Sequence, residues 1–264
     1  MFGKLLKYDF RSMWKQFAFI WPAALVLAVV NRFTLNGLDS TSSVGETTAG
    51  LAMLVYVAIL MAMFIVAVIF TIQRFYRGLL GDEGYLMHTL PVKPWQLVAS
   101  KLICAVVTTA ANVAVAILSM LLILPWDREA VREVFEAFRY LFSHWNMEST
   151  QVIIAILEFT LFTLVSFAVG YLHLYLAMAL GHLFNKNRVA MSVAAFIALQ
   201  VAVSILGNTI LPPITDLISP FVHNFTGMEG FHAAMWFAIA TELAASAVYF
   251  VGTNYILHNR LNLE

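Results

Sequence analysis

The run from Gly50 to Gln73, GLAMLVYVAILMAMFIVAVIFTIQ, carries no charged residue. A spanning helix needs about 20 mostly apolar residues, and this run supplies them. It is too long and too uniform for a barrel strand, which alternates over about ten residues. A helix apolar on every side requires lipid or protein around it. Outward from this run, five further stretches meet or approach the same standard, at 17–33, 102–125, 152–180, 189–211 and 231–256. The first of these is short, holds Pro22, and is bounded by Lys15 and Arg32, whose stems can snorkel to the interface. The stretch 152–180 is interrupted only by Glu158, and 231–256 only by Glu242.

Composition agrees with this reading. The 264 residues are 61% hydrophobic and 11% charged, where a soluble domain has about 45–50% apolar and about 25% charged residues. Lys+Arg and Asp+Glu are 15 each, so no net charge would keep so apolar a chain dispersed in water. Disorder is excluded, and a nucleic-acid partner is disfavoured, because neither suits an apolar, charge-balanced chain. The lone Cys104 excludes an intrachain disulfide framework and a cysteine-based zinc site. The expected fold is an all-α membrane protein, one transmembrane domain over 1–264 with six spans.

Six spans place both termini on one side. That side holds Lys4, Lys7, Arg11, Lys15, Arg74, Arg77, Lys93, Lys101, Lys186, Arg188 and Arg260. The other side holds Arg32, Arg128, Arg132 and Arg139. The excess of cations marks the cytoplasmic face, so both termini are predicted to be cytoplasmic. No cleavable signal peptide is expected, since a charged helix precedes the first apolar run and no small-residue cleavage site follows it.

Two amphipathic helices are predicted outside the spans. Residues 1–16 gather Phe2, Leu6, Phe10 and Met13, with Phe17, on one face and spread four cations around the rest, as an interfacial helix against anionic lipid would. Residues 126–147 form an outer amphipathic helix between spans three and four, with Asp127 at its N-cap and Arg132 four residues before Glu136. The apolar outer loop from Leu211 to Gly230 carries Pro212, Pro213 and Pro220 and is expected to break the helix there.

Catalytic patterns are missing. There is no phosphate-cradling loop followed by Lys and Ser/Thr, no paired zinc-binding histidines and no nucleophile elbow. No metal ligand set is expected. Glu158 and Glu242 are the two acids inside spans. An acid at mid-membrane costs about 2.5–3.5 kcal/mol on the insertion scale, so each is a candidate transport-pathway residue. The structural alternative is a neutral Glu hydrogen-bonded to a neighbouring helix. Glu158 is expected two turns from the outer end, within reach of water. His173 is read as hydrogen-bonded within the bundle.

The segment 74–101 is richer in polar residues and glycine than a simple connection requires. Gly81-Asp82-Glu83-Gly84-Tyr85-Leu86 combines two glycines, an acidic pair and an exposed apolar pair, and reads as a cytoplasmic docking element. This loop resembles that of type-2 ABC exporter permeases, above all uncharacterised members from Gram-positive bacteria. The resembling residues are Arg74-Phe75-Tyr76, Gly81 to Leu86, Thr89-Leu90-Pro91-Val92 and Gln96 to Leu102. Leu5 to Arg11, Gly181-His182-Leu183-Phe184 and Arg260 to Glu264 are similar too. The resemblance implies a permease subunit, not itself an enzyme and binding no cofactor, that pairs with a second permease copy or homologue. ATP and Mg would sit on a separate cytoplasmic ABC ATPase, engaged through a coupling helix within 74–101. Membrane lipid is the other partner, and a bacterial cell membrane the location. The export substrate would be an amphipathic peptide, drug or lipid-like compound. The alternative is a self-contained secondary transporter or channel using Glu242 and Glu158.

Overall fold

The structure is a computed structural model that describes residues 2–37, 43–81, 84, 92–123, 132–133, 135–136, 139, 147–184, 186–222 and 227–260. Among these no strand occurs. The helices are α1 (Phe2–Phe17), α2 (Ile20–Gly37), α3 (Ser43–Phe75), α4 (Pro94–Ile123), α5 (Met147–Gly181), α6 (Arg188–Val222) and α7 (Met228–Asn259). Six helices are long and apolar enough to cross a membrane.

The helix boundaries follow the prolines. Pro22 falls in the first turn of α2, where its missing N–H would have no intrahelical partner anyway. Pro94 opens α4 for the same reason. That start lies eight residues before the expected span at 102, so the connection within 74–101 is much shorter than expected. Its first part is helical as well, because α3 passes directly into a π-helical turn over Tyr76–Leu80. The expected break after residue 211 is also corrected. Helix α6 continues through Pro212 and Pro213 to Val222. In an apolar setting a helix keeps most of its backbone groups paired even when prolines remove two or three bonds, and abandoning it would unpair many more. Most of the predicted outer helix at 126–147 lies outside the described residues. Within it, Nε of Arg132 donates to Oε1 of Glu136 at 2.7 Å.

The chain divides into two compact units. One comprises 3–70 and 107–145. Its core is small and aromatic: Ala28, Tyr56, Leu60, Met63 and Ala116, with Trp21 and Phe64 packed against them. Three side-chain hydrogen bonds join buried polar groups between helices here, as a low-dielectric interior favours. Trp21 Nε1 donates to Asn112 Oδ1 at 2.7 Å, the Tyr56 and Ser119 hydroxyls meet at 2.7 Å, and Asn31 Nδ2 donates to the Ala52 carbonyl at 3.1 Å. Helix α1 joins this unit through Asp9, Met13 and Phe17, buried at i, i+4 and i+8. Phe17 stacks on Trp21 at 5.6 Å. The apolar pattern of α1 gives no sign that Asp9 is buried on this face.

The other unit comprises 1–2, 71–106 and 146–264. Here α5 packs chiefly against α7 and α6. Large apolar side chains point outward along these helices, Val189, Ile205 and Val248 each being about 60% exposed or more. Such continuous apolar faces suit a bilayer and would aggregate in water.

Candidate functional site

The unit containing α5, α6 and α7 is polarised along its helices. Its described cations are Arg74, Arg77, Lys93, Lys101, Lys186, Arg188 and Arg260, placed at or near the end of α3, the starts of α4 and α6, and the end of α7. Its described acids, Glu148, Glu158, Asp216, Glu229 and Glu242, all occupy the opposite halves of α5, α6 and α7.

At the cation-rich end the chain leaves α3 through an ordered turn. The Gly81 N–H donates to the Tyr76 carbonyl at 2.7 Å, the i to i+5 bond of a π-turn, and the Gly84 N–H donates to the Gly81 carbonyl at 2.8 Å. Two successive aromatic residues pin this exit to α5. Phe75 stacks on Tyr175 at 4.0 Å and 10°, and Tyr76 stacks on His182 at 5.5 Å and 12°. Tyr175 and His182 are seven residues apart, two helical turns, which brings them to the same side of α5 and its extension. Two glycines, Gly84 and Gly181, let backbones close in, and a third, Gly78, makes room for a lysine side chain. A Cβ on Gly84 would sit 2.7 Å from the Leu79 carbonyl oxygen, and one on Gly78 would sit 2.7 Å from Lys101 Nζ. A Cβ on Gly181 would collide with the backbone and hydroxyl of Ser192 in α6.

Of the six predicted coupling residues, Gly81 and Gly84 therefore form part of a tight turn. Asp82, Glu83, Tyr85 and Leu86 lie outside the described residues. The Arg74-Phe75-Tyr76 and Gly181-His182-Leu183-Phe184 segments are far apart in the sequence, and the Tyr76–His182 stack joins them. Nothing in a linear pattern indicates that pairing.

His182 is buried, and neither ring nitrogen has a partner among the described residues. Burial pushes its imidazole below the ordinary value of 6.5, and the nearby Arg188 charge adds to the effect.

The two intramembrane acids are not brought together. Glu158 lies on α5, three turns from the helix start because α5 begins at Met147 rather than at 152, and it is 5% exposed. The expected access to water is replaced by a partner: Oε2 of Glu158 and Nδ1 of His232 on α7 are hydrogen-bonded at 2.6 Å. This contact spans 74 residues of sequence, and no local motif announces it. Glu242 is near the middle of α7, and its Oε2 is buried with no partner among the described residues. His173 packs edge-on against Phe196 and Tyr249 at 4.9 and 5.3 Å, and its Nε2 likewise finds no partner among the described residues. Among the described residues no three His, Cys, Asp or Glu side chains gather into a metal site.

No protein-family model matches the chain, and no curated protein or solved structure is similar to it.

Proposed function

We propose that this chain is the membrane-spanning permease subunit of an ATP-driven exporter, with both termini cytoplasmic in a bacterial cell membrane. The observation that carries the reading is the aromatic-pinned exit from α3. Phe75–Tyr175 and Tyr76–His182 fix the base of the short segment between Leu80 and Pro94 to α5. A segment so anchored can pass a push from a docked partner into α3, α4 and α5 as a rigid-body movement. A loop without such anchors would absorb it. The resemblance of this same segment to the coupling loop of type-2 ABC exporter permeases supports the assignment. ATP would be bound and hydrolysed by a separate cytoplasmic subunit, and a second permease copy or homologue would complete the pathway. The six apolar helices are compatible with such a transporter.

The test is purification of the tagged chain from its native membrane. An ATP-binding partner of about 25–35 kDa, the ordinary single-domain to two-domain size range, should come with it. Purification of the chain alone, with proton-gradient-driven transport in vesicles, would favour a self-contained secondary transporter. One observation keeps that second reading: the Oε2 of Glu242 in mid-helix, without a partner among the described residues, is a group able to take up a proton or an ion.

A further inference from the structure

A cleft of about 370 Å³ opens between the end of α3, the end of α5 and the start of α6. Its volume is in the range of ligand pockets. The directions of the three helices give it a top and a bottom. Ile72, Leu174 and Phe196 line the part nearer the middle of the helices. Arg77, Met178 and Val189 line the part nearer the cation-rich end. At 1.5 Å per residue the two levels are about 6–10 Å apart. The cleft surface is almost wholly apolar despite Gln73 and Ser192 in its lining, and the stem of Arg77 lies at its mouth. Arg77 is exposed, and no carboxylate among the described residues lies within ion-pair distance of it. Arg188 opens α6 one residue before Val189 and adds a second positive charge near the mouth. The described acids of this unit all lie in the opposite halves of their helices.

We propose that this cleft is a binding site for one anionic phospholipid of the leaflet at the cation-rich end. An acyl chain fills the apolar floor against Ile72, Leu174 and Phe196, and the phosphate meets Arg77 at the mouth. Charge complementarity selects the occupant. A zwitterionic lipid offers the same chain but brings its own cation, which the Arg77 guanidinium repels. A cation at the rim of an apolar cleft between spanning helices suits an acidic headgroup, and a guanidinium matches a phosphate in two-point geometry. The site includes Tyr76, which lines the cleft and stacks on His182. A lipid seated there would consequently brace the exit from α3. The inference rests on the spanning helices and stands whether or not the chain exports anything.

The experiment is native mass spectrometry of the full chain released from nanodiscs made of equal phosphatidylglycerol and phosphatidylcholine. The parent should retain one phosphatidylglycerol in clear preference to phosphatidylcholine. Arg77→Gln should lower that preference about tenfold, the loss expected for one charge-assisted hydrogen bond. Val193→Trp, at an exposed cleft-lining position, should fill the space and remove the retained lipid of either kind. Lys4→Gln, an exposed cation of the other unit, should change neither. Equal retention of the two lipids by the parent, or an unchanged preference in Arg77→Gln, would overturn the proposal. So would a Val193→Trp variant that keeps its lipid and loses a dimer mass, since the cleft would then be covered by a second copy.

Discussion

Tyr76 and His182 lie face to face at 5.5 Å, their rings within 12° of parallel. One closes α3 and the other follows α5, so a single stack couples the entry of one cytoplasm-proximal connection, in the proposed orientation, to the entry of another. Its neighbour, Phe75 on Tyr175 at 4.0 Å, repeats the arrangement one residue earlier. Aromatic pairs of this kind contribute about 0.5–1.5 kcal/mol beyond their burial. Two of them on adjacent residues fix both the position and the rotation of the exit.

The glycines around this junction should separate by their surroundings. Gly181→Ala would drive a methyl into Ser192, and Gly84→Ala one into the Leu79 carbonyl. Each should lower stability by about 1–3 kcal/mol, as overpacking does. Gly170 lies in α5, and a methyl added there would meet nothing within 4 Å. Gly170→Ala should be neutral or stabilise by up to about 1 kcal/mol, since alanine is the better helix former. Thermal unfolding of the detergent-purified variants checks the order, and a Gly170→Ala variant less stable than Gly181→Ala would refute it.

Stability should depend on pH through His182. Its imidazole is held below 6.5 in the folded chain, first by burial and then by Arg188. The unfolded chain therefore binds the proton more readily. The contribution of the neutral ring is complete above about pH 6.5 and is lost as the pH falls through that value toward the lowered one. Melting temperature should drop as the pH is lowered through about 6.5. His182→Phe keeps a flat ring for Tyr76 and should flatten this part of the profile. Identical slopes for parent and variant would remove His182 as the cause.

The Glu158–His232 pair predicts that a double substitution costs less than the loss of one partner. His232→Ala leaves a buried acid without its partner and should cost about 3–5 kcal/mol. Glu158→Gln retains a hydrogen-bonding group and should cost about 1 kcal/mol. Replacing both by leucine removes the desolvation problem altogether, so the double variant should be more stable than His232→Ala. Equilibrium unfolding in mixed detergent measures all three. A double leucine variant no more stable than His232→Ala would mean that the two groups do not interact.

Much of the fold was legible because membrane spans are written in composition. Gly50 to Gln73 admits only a buried helix, and α3 contains all of it. The ends were less legible, for two opposite reasons. Pro94 starts a helix and Pro212 fails to stop one, so the same residue type marks a boundary only where the surrounding backbone has another way to satisfy its hydrogen bonds. The partners of isolated polar residues were not legible at all. Glu158 and His232, or Tyr76 and His182, are joined by helix packing, and single-sequence periodicity gives the face of a helix without naming its neighbour.

The proposed orientation gives a direct expectation for reporter fusions. A reporter active only outside the cytoplasm should give signal after Thr47, Glu148 or Gly227. It should be silent after Lys93, Lys186 or Glu264. The charge polarity of the helices underlies this, cations remaining on the cytoplasmic side. One inverted position would break the six-span arrangement.

If the segment leaving α3 couples this chain to an ATPase, as proposed, changes in that segment should cost the association with the partner. Tyr85→Ala with Leu86→Ala would remove the apolar anchors that dominate such interfaces. Asp82→Lys with Glu83→Lys would reverse the charge offered to the partner. The measurement is the amount of ATPase that co-purifies with each variant, followed by substrate-stimulated ATP hydrolysis in reconstituted vesicles. Normal membrane insertion is expected with at least a tenfold loss of bound ATPase, about 1.4 kcal/mol or more, or with bound ATPase whose hydrolysis no longer responds to substrate. Variants that bind, hydrolyse and export like the parent would contradict it.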